Sequence, residues 1–313
     1  MRRQGPGPSV HSNSDVPAGR DARAGAALAL AALLWSGNFI AGRALRHDIE
    51  PALLNLLRWT LCLALLLPAV GPKAWRCRQV VRREWKLIVG LGATGIAGFH
   101  ALVYVALRST GAVDALLILA LAPVAILAGS ALSGATRPSR TQWSGAGLSL
   151  VGVSILLSRG EPERLLAFAP AAGEFLMLLA VLLWAAYSLL LRRRPPDLPP
   201  DVALAASIVP ALLLLAIVVT TSHGTPLVLT APVAGALAYI VVFASLVAFL
   251  LWSYGVDAIG AERAGPYLNL MPVFGALLAA VLLGETIALS QMSGAAVVFG
   301  GIGLVARRAR AVC

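Results

Sequence analysis

The chain contains one unit twice, and this duplication limits its possible folds more than any other feature of the sequence. Residues 268–294 (LNLMPVFGALLAAVLLGETIALSQMSG) match residues 119–145 (LALAPVAILAGSALSGATRPSRTQWSG) without a gap at an offset of 149 positions. The same offset places Leu182-Leu183-Trp184 on Leu33-Leu34-Trp35, near the beginning of the chain. Two copies of one structural unit therefore make up nearly the whole protein.

The composition places both copies in a membrane. Hydrophobic residues make up 59% of the 313 positions, charged residues make up 12%, and the mean hydropathy is +0.84. Soluble domains carry about 25% charged residues, so this chain cannot cover itself with a water-compatible surface. A helix needs about 20 apolar residues to cross the hydrocarbon core, and ten segments meet this requirement: 24–42, 51–70, 86–107, 112–133, 141–158, 172–191, 201–220, 231–254, 262–283 and 289–306. Their apolar residues run continuously instead of alternating, which excludes membrane-spanning strands and predicts an all-α integral membrane protein.

The basic residues predict the orientation of these helices. With the ten predicted spans, 19 of the 25 Lys and Arg residues lie on one side of the membrane and 5 on the other. Because loops rich in Lys and Arg stay in the cytoplasm, we expect a multi-pass protein of the cytoplasmic membrane with both termini in the cytoplasm. The formal charge of +11 does not indicate binding to nucleic acid, since the basic residues form short blocks between apolar segments.

Five helices per copy is an odd number, so the second copy must enter the membrane upside down relative to the first. The sequence thus predicts ten transmembrane helices as two inverted five-helix repeats, at residues 24–158 and 172–306. A disordered cytoplasmic tail is predicted at 1–23 and a short cytoplasmic tail at 307–313. Transporters built this way have a pseudo-two-fold axis in the membrane plane and bind their substrates near the bilayer centre.

Short motifs within the repeats resemble a known family. Ala32-Leu33-Leu34-Trp35-Ser36-Gly37-Asn38-Phe39 opens the first span, and Leu283-Gly284-Glu285 forms a turn that is followed by Gln291 and Gly294. With Arg58, Pro123 and Pro272, these motifs are similar to the drug/metabolite transporter superfamily and specifically to its EamA-type members. The resemblance covers residues 24–306 and implies a central cavity lined mainly by helices 1–4 and 6–9, with helices 5 and 10 peripheral. The first repeat departs from the pattern, because Ala135-Thr136 occupies the place of Gly284-Glu285.

Three polar residues in the second and third spans are candidates for lining that cavity. Arg58 lies well inside a span, where a guanidinium is costly, so it is a candidate anchor for a substrate carboxylate or a candidate member of a gating pair. The alternative is a side chain that reaches the interface or bonds to backbone carbonyls between helices. His100 and Tyr104 share a helix face, one turn apart. His100 could also relay a proton or be bonded to a neighbouring carbonyl.

Two further pairs occupy equivalent positions in the two repeats. Trp35 and Asn38 share a face of the first helix, and their repeat mates Trp184 and Tyr187 share a face of the sixth. Aromatic and amide groups repeated on symmetric faces suit a cavity that holds a small amphipathic solute. Packing or interfacial anchoring is the alternative interpretation of all four residues.

Two prolines predict interrupted helices. Pro123 and Pro272 each remove a backbone hydrogen bond in mid-helix and free the carbonyls of Leu119 and Leu268. Interruptions at matching positions point to the binding region of repeat transporters, so both prolines are candidate hinges or cavity walls, with simple packing kinks as the alternative. Asn269 shares a face with Pro272 and could present an amide there.

The residues that are missing limit the chemistry. The sequence has no HExxH motif, no paired intramembrane aspartates and no Ser/His/Asp set on plausible faces. It therefore predicts neither an enzyme nor a catalytic residue, and it indicates no cofactor. The three cysteines have neither CxxC nor metal-ligand spacing, so we expect no structural disulfide and no metal site.

We expect a secondary transporter that moves a small organic metabolite, such as an amino acid or a similar compound, by alternating access. Export is the direction that the resemblance to EamA-type transporters implies. The alternative within transport is efflux of hydrophobic cations or drugs, and the alternative from another class is a non-transporting membrane enzyme or receptor scaffold. The expected partners are the small-molecule substrate and the lipid bilayer, and the sequence leaves monomer and homodimer open.

Overall fold

The chain is helical in the computed structural model, which describes residues 18–45, 48–106, 112–134, 136–158, 161, 163, 172–221, 228–283 and 288–306. These residues form helices and connecting turns and contain no strand. Ten helical spans follow one another: α1 (Ala18–Ala44), α2 (Pro51–Arg76), α3 (Trp85–Ala106), α4 (112–132), α5 (Arg140–Ser158), α6 (Ala172–Arg192), α7 (Pro200–Thr221), α8 (Ala231–Ile259), α9 (261–283) and α10 (Leu289–Ala306). A short helix, Arg78–Arg83, connects α2 to α3. The predicted all-α membrane fold is confirmed.

Eight helices among the described residues are long and apolar enough to cross a membrane. The two remaining predicted spans are α5 and α9. The first residues of α5, from Arg140 to Ser144, are mostly polar and lower its mean hydropathy. The α9 span consists of three pieces, Ala261–Ala264, Gly265–Asn269 and Leu270–Leu283.

The beginning of α1 differs from the sequence prediction. Residues 18–23 are helical, although the predicted disordered tail extends through residue 23. A tertiary contact explains the difference, because Asp21 in the first turn accepts a hydrogen bond from Nη2 of Arg263 at 3.0 Å. A carboxylate in the first turn also interacts favourably with the helix dipole. The rest of the two predicted tails, 1–17 and 307–313, and Glu285 lie outside the described residues.

Four helices are irregular, and the irregularities occur at equivalent positions of the two repeats. In α3 the segment Gly92–Gly98 is a π-helix, and in α8 the segment Ile240–Val247 is one. The helix of α4 ends at Leu119 and resumes at Ala122. In α9 a 3₁₀ segment, Gly265–Asn269, precedes the α-helix that contains Pro272. Such interruptions are tolerated at membrane depth only where protein or a cavity surrounds them.

Helix packing follows a two-fold pattern. The α2 helix packs on its repeat mate α7, and α5 packs on its repeat mate α10. The contact between α1 and α8 has its equivalent in the contact between α6 and α3, and that between α1 and α9 has its equivalent between α6 and α4. Each of these contacts therefore either joins a helix to its own repeat mate or has an equivalent contact between the repeat mates of its two helices, as the duplicated unit predicts.

Glycines bring α5 and α10 close together. A Cβ atom on Gly152 would lie 2.6 Å from the backbone nitrogen of Val298 and 2.8 Å from the carbonyl oxygen of Gly294. Gly301 is the repeat mate of Gly152, and a Cβ there would lie 2.6 Å from the Gly145 carbonyl oxygen. Small residues that let backbones approach closely are typical of helix pairs in membranes.

Gly152→Val is expected to destabilise this helix pair, because its added methyl groups would overlap the α10 backbone. Overpacking of this kind typically costs about 1–3 kcal/mol. Thermal unfolding of the purified protein in detergent measures the effect. The matched control is Gly147→Val in the same helix, because a Cβ on Gly147 meets nothing within 4 Å. Equal melting temperatures for the two variants would contradict the close approach of α5 and α10.

Candidate substrate site

An aromatic cluster fills the centre of the bundle, at the junction of α1, α2, α3, α6 and α8. Trp35 and Trp184, the symmetric tryptophans, meet edge to face with ring centroids 5.1 Å apart. Phe249 of α8 lies 5.7 Å from Trp35 and 5.0 Å from Trp59, and it also contacts rings of α3 and α6. We call the connected set the aromatic cluster, and its members are Trp35, Trp59, Phe99, His100, Tyr104, Trp184, Tyr187, Phe249 and Trp252.

Arg58 lies beside this cluster and is completely buried. Its Nε donates a hydrogen bond to Oγ of Ser245 at 2.8 Å, and its Nη1 donates to the hydroxyl of Tyr104 at 3.1 Å. The guanidinium carbon lies 5.2 Å from the ring centroid of Trp59. None of the ion pairs formed by the described residues includes Arg58. The side chain therefore does not reach the interface, and its hydrogen-bond partners among the described residues are neutral groups.

The π segment of α8 holds two side chains of the site. The hydroxyl of Ser245 donates to the carbonyl oxygen of Ile240 at 2.8 Å while it accepts from Arg58. The indole nitrogen of Trp35 donates to the carbonyl oxygen of Ala244 at 3.0 Å. π-helical turns are frequent at functional sites because they displace backbone carbonyls from the regular pattern. Here the displaced backbone positions the arginine and one tryptophan.

Several polar atoms in this interior find no hydrogen-bond partner among the described residues. They are Oδ1 of Asn38, both side-chain polar atoms of Asn55 and Asn269, Nη2 of Arg58, Nδ1 of His100, and the indole nitrogens of Trp59, Trp184 and Trp252. A buried polar atom without a partner costs about 1–3 kcal/mol. A core built for stability alone avoids such atoms, so their concentration favours an interior that binds a polar ligand.

The eight residues predicted to line the cavity are all located in the interior. Contacts within the aromatic cluster or with Arg58 join six of them: Trp35, Arg58, His100, Tyr104, Trp184 and Tyr187. Asn38 is 8% exposed and Asn269 is fully buried, in α1 and in the 3₁₀ segment of α9. These two helices are joined near both asparagines by Ser36, whose hydroxyl donates to the carbonyl of Met271 at 2.9 Å. Binding of substrate by any of the eight stays a prediction.

Sequence reasoning missed Asn55, Trp59, Ser245, Phe249 and Trp252. A signal for two of them was present in α2, where Asn55, Arg58, Trp59 and Cys62 follow the spacing of one buried helix face. Phe249 is also the repeat mate of His100. Ser245 has no such signal, because its role depends on the π segment.

The structure places both prolines next to helix interruptions. Pro123 lies in the first turn of the second part of α4, and Pro272 follows the 3₁₀ segment of α9. These positions agree with the loss of helix hydrogen bonds at Leu119 and Leu268. The hinge role of Pro123 and Pro272 stays a prediction.

Comparison with known proteins relates this architecture to transporters. The family described as "EamA-like transporter family" matches residues 23–158 and 171–307. The uncharacterized transporter YyaM of Bacillus subtilis (strain 168) is 30% identical over 72% of this chain and 74% of its own. A probable amino-acid metabolite efflux pump of Salmonella typhimurium is 26% identical over 87% of this chain and 91% of its own. A probable terminal-alkyne amino-acid exporter of Streptantibioticus cattleyicolor is 27% identical over 90% and 93%.

A solved crystal structure resembles the whole bundle. Its TM-score is 0.75, and the match covers 90% of this chain and 96% of the other at 24% sequence identity. At this level of identity the similarity shows a common fold.

Arg58→Met is expected to leave the thermal stability of the protein unchanged or to raise it. Replacing a buried charge by an apolar side chain of similar volume is often neutral or stabilising, and Ser245 keeps its bond to Ile240. A structural role for Arg58 would lower the melting temperature instead. The matched control is Arg192→Met, which leaves the buried carboxylate of Glu262 without its ion-pair partner and is expected to lower the melting temperature measured in detergent.

Proposed function

Because this chain belongs to the EamA-like transporter family, we propose that it exports a small organic metabolite with a carboxylate, an amino acid or a similar compound. The proposed route crosses the cytoplasmic membrane by alternating access. The observation that carries the choice of substrate is Arg58, a buried cation without an anionic partner among the described residues.

The surroundings of Arg58 suit a carboxylate ligand. Two of its three nitrogens donate to neutral hydroxyl groups, and Nη2 has no partner in the part of the chain that the structure describes. Hydrogen bonds between a guanidinium and a carboxylate are among the strong ones in proteins, and a carboxylate would also neutralise the buried charge. A hydrophobic cation would be repelled by Arg58, which argues against the alternative of cationic drug efflux.

The relatives support both the class of substrate and the direction. Two of them are named for amino-acid compounds, one as an efflux pump and one as an exporter. Each matches at least 87% of this chain.

Contacts between the repeats support a gate at one end of the bundle. We call this the basic end, and it carries the α2–α3, α4–α5, α6–α7 and α8–α9 connections. Glu262 at the start of α9 is 5% exposed and accepts hydrogen bonds from Ser130 and Thr136 at the end of α4, the latter at 2.7 Å, and from Arg192. Three ion pairs also join the repeats there: Asp21 with Arg263, Lys73 with Asp201, and Arg83 with Asp197.

These contacts must break before the centre can open toward the basic end. In the proposed cycle one half rocks against the other around α4 and α9, the helices interrupted beside Pro123 and Pro272. The basic end is also the end expected in the cytoplasm, so the described conformation would be one that is closed to the cytoplasm.

Arg58→Ala is expected to abolish the transport of carboxylate-bearing solutes while the protein is still expressed normally. The initial rate of transport should fall at least tenfold. Flux of radiolabelled amino acids in proteoliposomes measures it. Arg82→Ala, at an exposed arginine of the loop helix, is the control and is expected to transport normally. Normal uptake by Arg58→Ala would show that Arg58 does not anchor the substrate.

Flux of a hydrophobic cation such as tetraphenylphosphonium without amino-acid flux would favour drug efflux, and ligand binding without any flux would favour a receptor.

Glu262→Gln is expected to weaken the gate, because a neutral amide oxygen accepts the hydrogen bonds of Ser130 and Thr136 from the other repeat more weakly than a carboxylate does. The substitution keeps the shape of the side chain. Cys62 is a buried reporter one turn from Arg58, and Cys77→Ser with Cys313→Ser leaves it as the single thiol of the chain. We expect N-ethylmaleimide to alkylate Cys62 at least threefold faster in Glu262→Gln. The control is Glu84→Gln, which removes an ion pair with Arg83 inside the first repeat. Equal rates in both variants would contradict a gate at Glu262.

A further inference from the structure

One face of α2 carries a group of buried polar side chains that the aromatic cluster does not satisfy. Asn55, Arg58 and Trp59 are fully buried, and their spacing of three and four residues places them side by side on the helix. Asn55 therefore lies one turn from both the guanidinium-bearing residue and the indole.

All three side chains keep unpartnered atoms among the described residues. Both polar atoms of the Asn55 amide, Nη2 of Arg58 and the indole nitrogen of Trp59 have no hydrogen-bond partner there. Leaving a buried donor or acceptor unpaired costs its full desolvation. A ligand that pairs all of these atoms together offsets that cost.

The chemistry of these atoms identifies the ligand group. The amide nitrogen of Asn55, Nη2 of Arg58 and the indole nitrogen of Trp59 are donors, and they suit the two oxygens of one carboxylate. Oδ1 of Asn55 is the acceptor on this face, and it suits the ammonium of a ligand. A carboxylate and an ammonium within one helical turn are the head group of an α-amino acid.

The aromatic cluster limits the rest of the ligand. Its members around Arg58 are rings from α1, α2, α3, α6 and α8, and a ring supplies neither a carboxylate nor an ammonium to pair with a charge on the ligand. A second charge on the ligand would be desolvated there without a partner. An apolar or aromatic side chain would pack against the rings.

We propose that Asn55, Arg58 and Trp59 form the head-group subsite for a neutral α-amino acid with an apolar or aromatic side chain. Arg58 and Trp59 bind the carboxylate, Asn55 binds the ammonium through Oδ1, and the aromatic cluster holds the side chain. This inference rests on the proposed transport of a carboxylate-bearing metabolite and specifies its substrate class.

Equilibrium binding to the purified full chain tests the assignment of each group. The probes are phenylalanine, 3-phenylpropionate, which lacks the ammonium, and phenylalaninamide, which lacks the carboxylate. We expect phenylalanine to bind at least tenfold more tightly than either analogue and at least tenfold more tightly than glutamate or lysine. Equal affinity for phenylalanine and 3-phenylpropionate, or no binding of either at millimolar concentration, would overturn the proposal.

Variants then separate the two halves of the subsite. In Asn55→Leu, the affinities for phenylalanine and 3-phenylpropionate are expected to lie within threefold of each other. Trp59→Phe is expected to lower the affinity for both compounds and to keep the preference for phenylalanine. Asn55→Ala serves as a second variant if Asn55→Leu fails to fold. Ser149→Ala, at a buried serine of α5 whose hydroxyl has no partner among the described residues, is expected to keep the preference. If Asn55→Leu keeps the preference, the assignment to α2 is wrong.

Flux measurements distinguish failure of this inference from failure of the proposed function. If phenylalanine crosses proteoliposomes but Asn55→Leu retains the tenfold preference, transport stands and the α2 subsite is wrong. If the binding preference follows Asn55 but no amino acid crosses, the subsite stands and the proposed export is wrong.

Discussion

Hydrocarbon offers no hydrogen bond to a peptide group, and this constraint decides where the backbone of the protein can be irregular. The π segments of α3 and α8 and the interruptions of α4 and α9 lie in helices that surround the interior, whereas α5 and α10 are regular. In α8 the irregular backbone has a use, because carbonyls of its π segment accept hydrogen bonds from Trp35 and Ser245. The helix distortions and the proposed substrate site are thus parts of one arrangement.

The scaffold is symmetric, but the groups that would recognise a ligand are not. Arg58 has Ser207 as its repeat mate, so the buried charge belongs to one half alone. The indole of Trp35 is bonded to the backbone of α8, while that of Trp184, its mate, has no partner among the described residues. A symmetric bundle supplies two related conformations, and an asymmetric set of side chains lets a ligand bind in one orientation. Both properties are required of a transporter that binds one solute in one orientation.

Two buried charges show how differently this bundle treats ionised groups. Glu262 at the basic end accepts hydrogen bonds from Ser130, Thr136 and Arg192, all at Oε1, which suits a structural contact between the halves. Among the described residues, Arg58 in the centre has two neutral partners and one unpaired nitrogen. Since an incompletely paired buried charge is destabilising, the contrast favours a ligand-binding role for the arginine and a closing role for the glutamate.

Hydropathy and repeat spacing by themselves determined the ten helices and the duplicated plan, because both are local or periodic properties that a sequence displays directly. The same reasoning placed Arg58 and the two symmetric tryptophans in the interior, and all three are buried. It could not find Ser245, which lies 187 positions from Arg58 along the chain, or the early start of α1 at Ala18. The contact of Ser245 with Arg58, the start of α1 at Ala18 and the set of unpaired polar atoms among the described residues were decided only by the tertiary structure. Each of them depends on distances between side chains of different helices, and those distances are set by packing rather than by the order of residues.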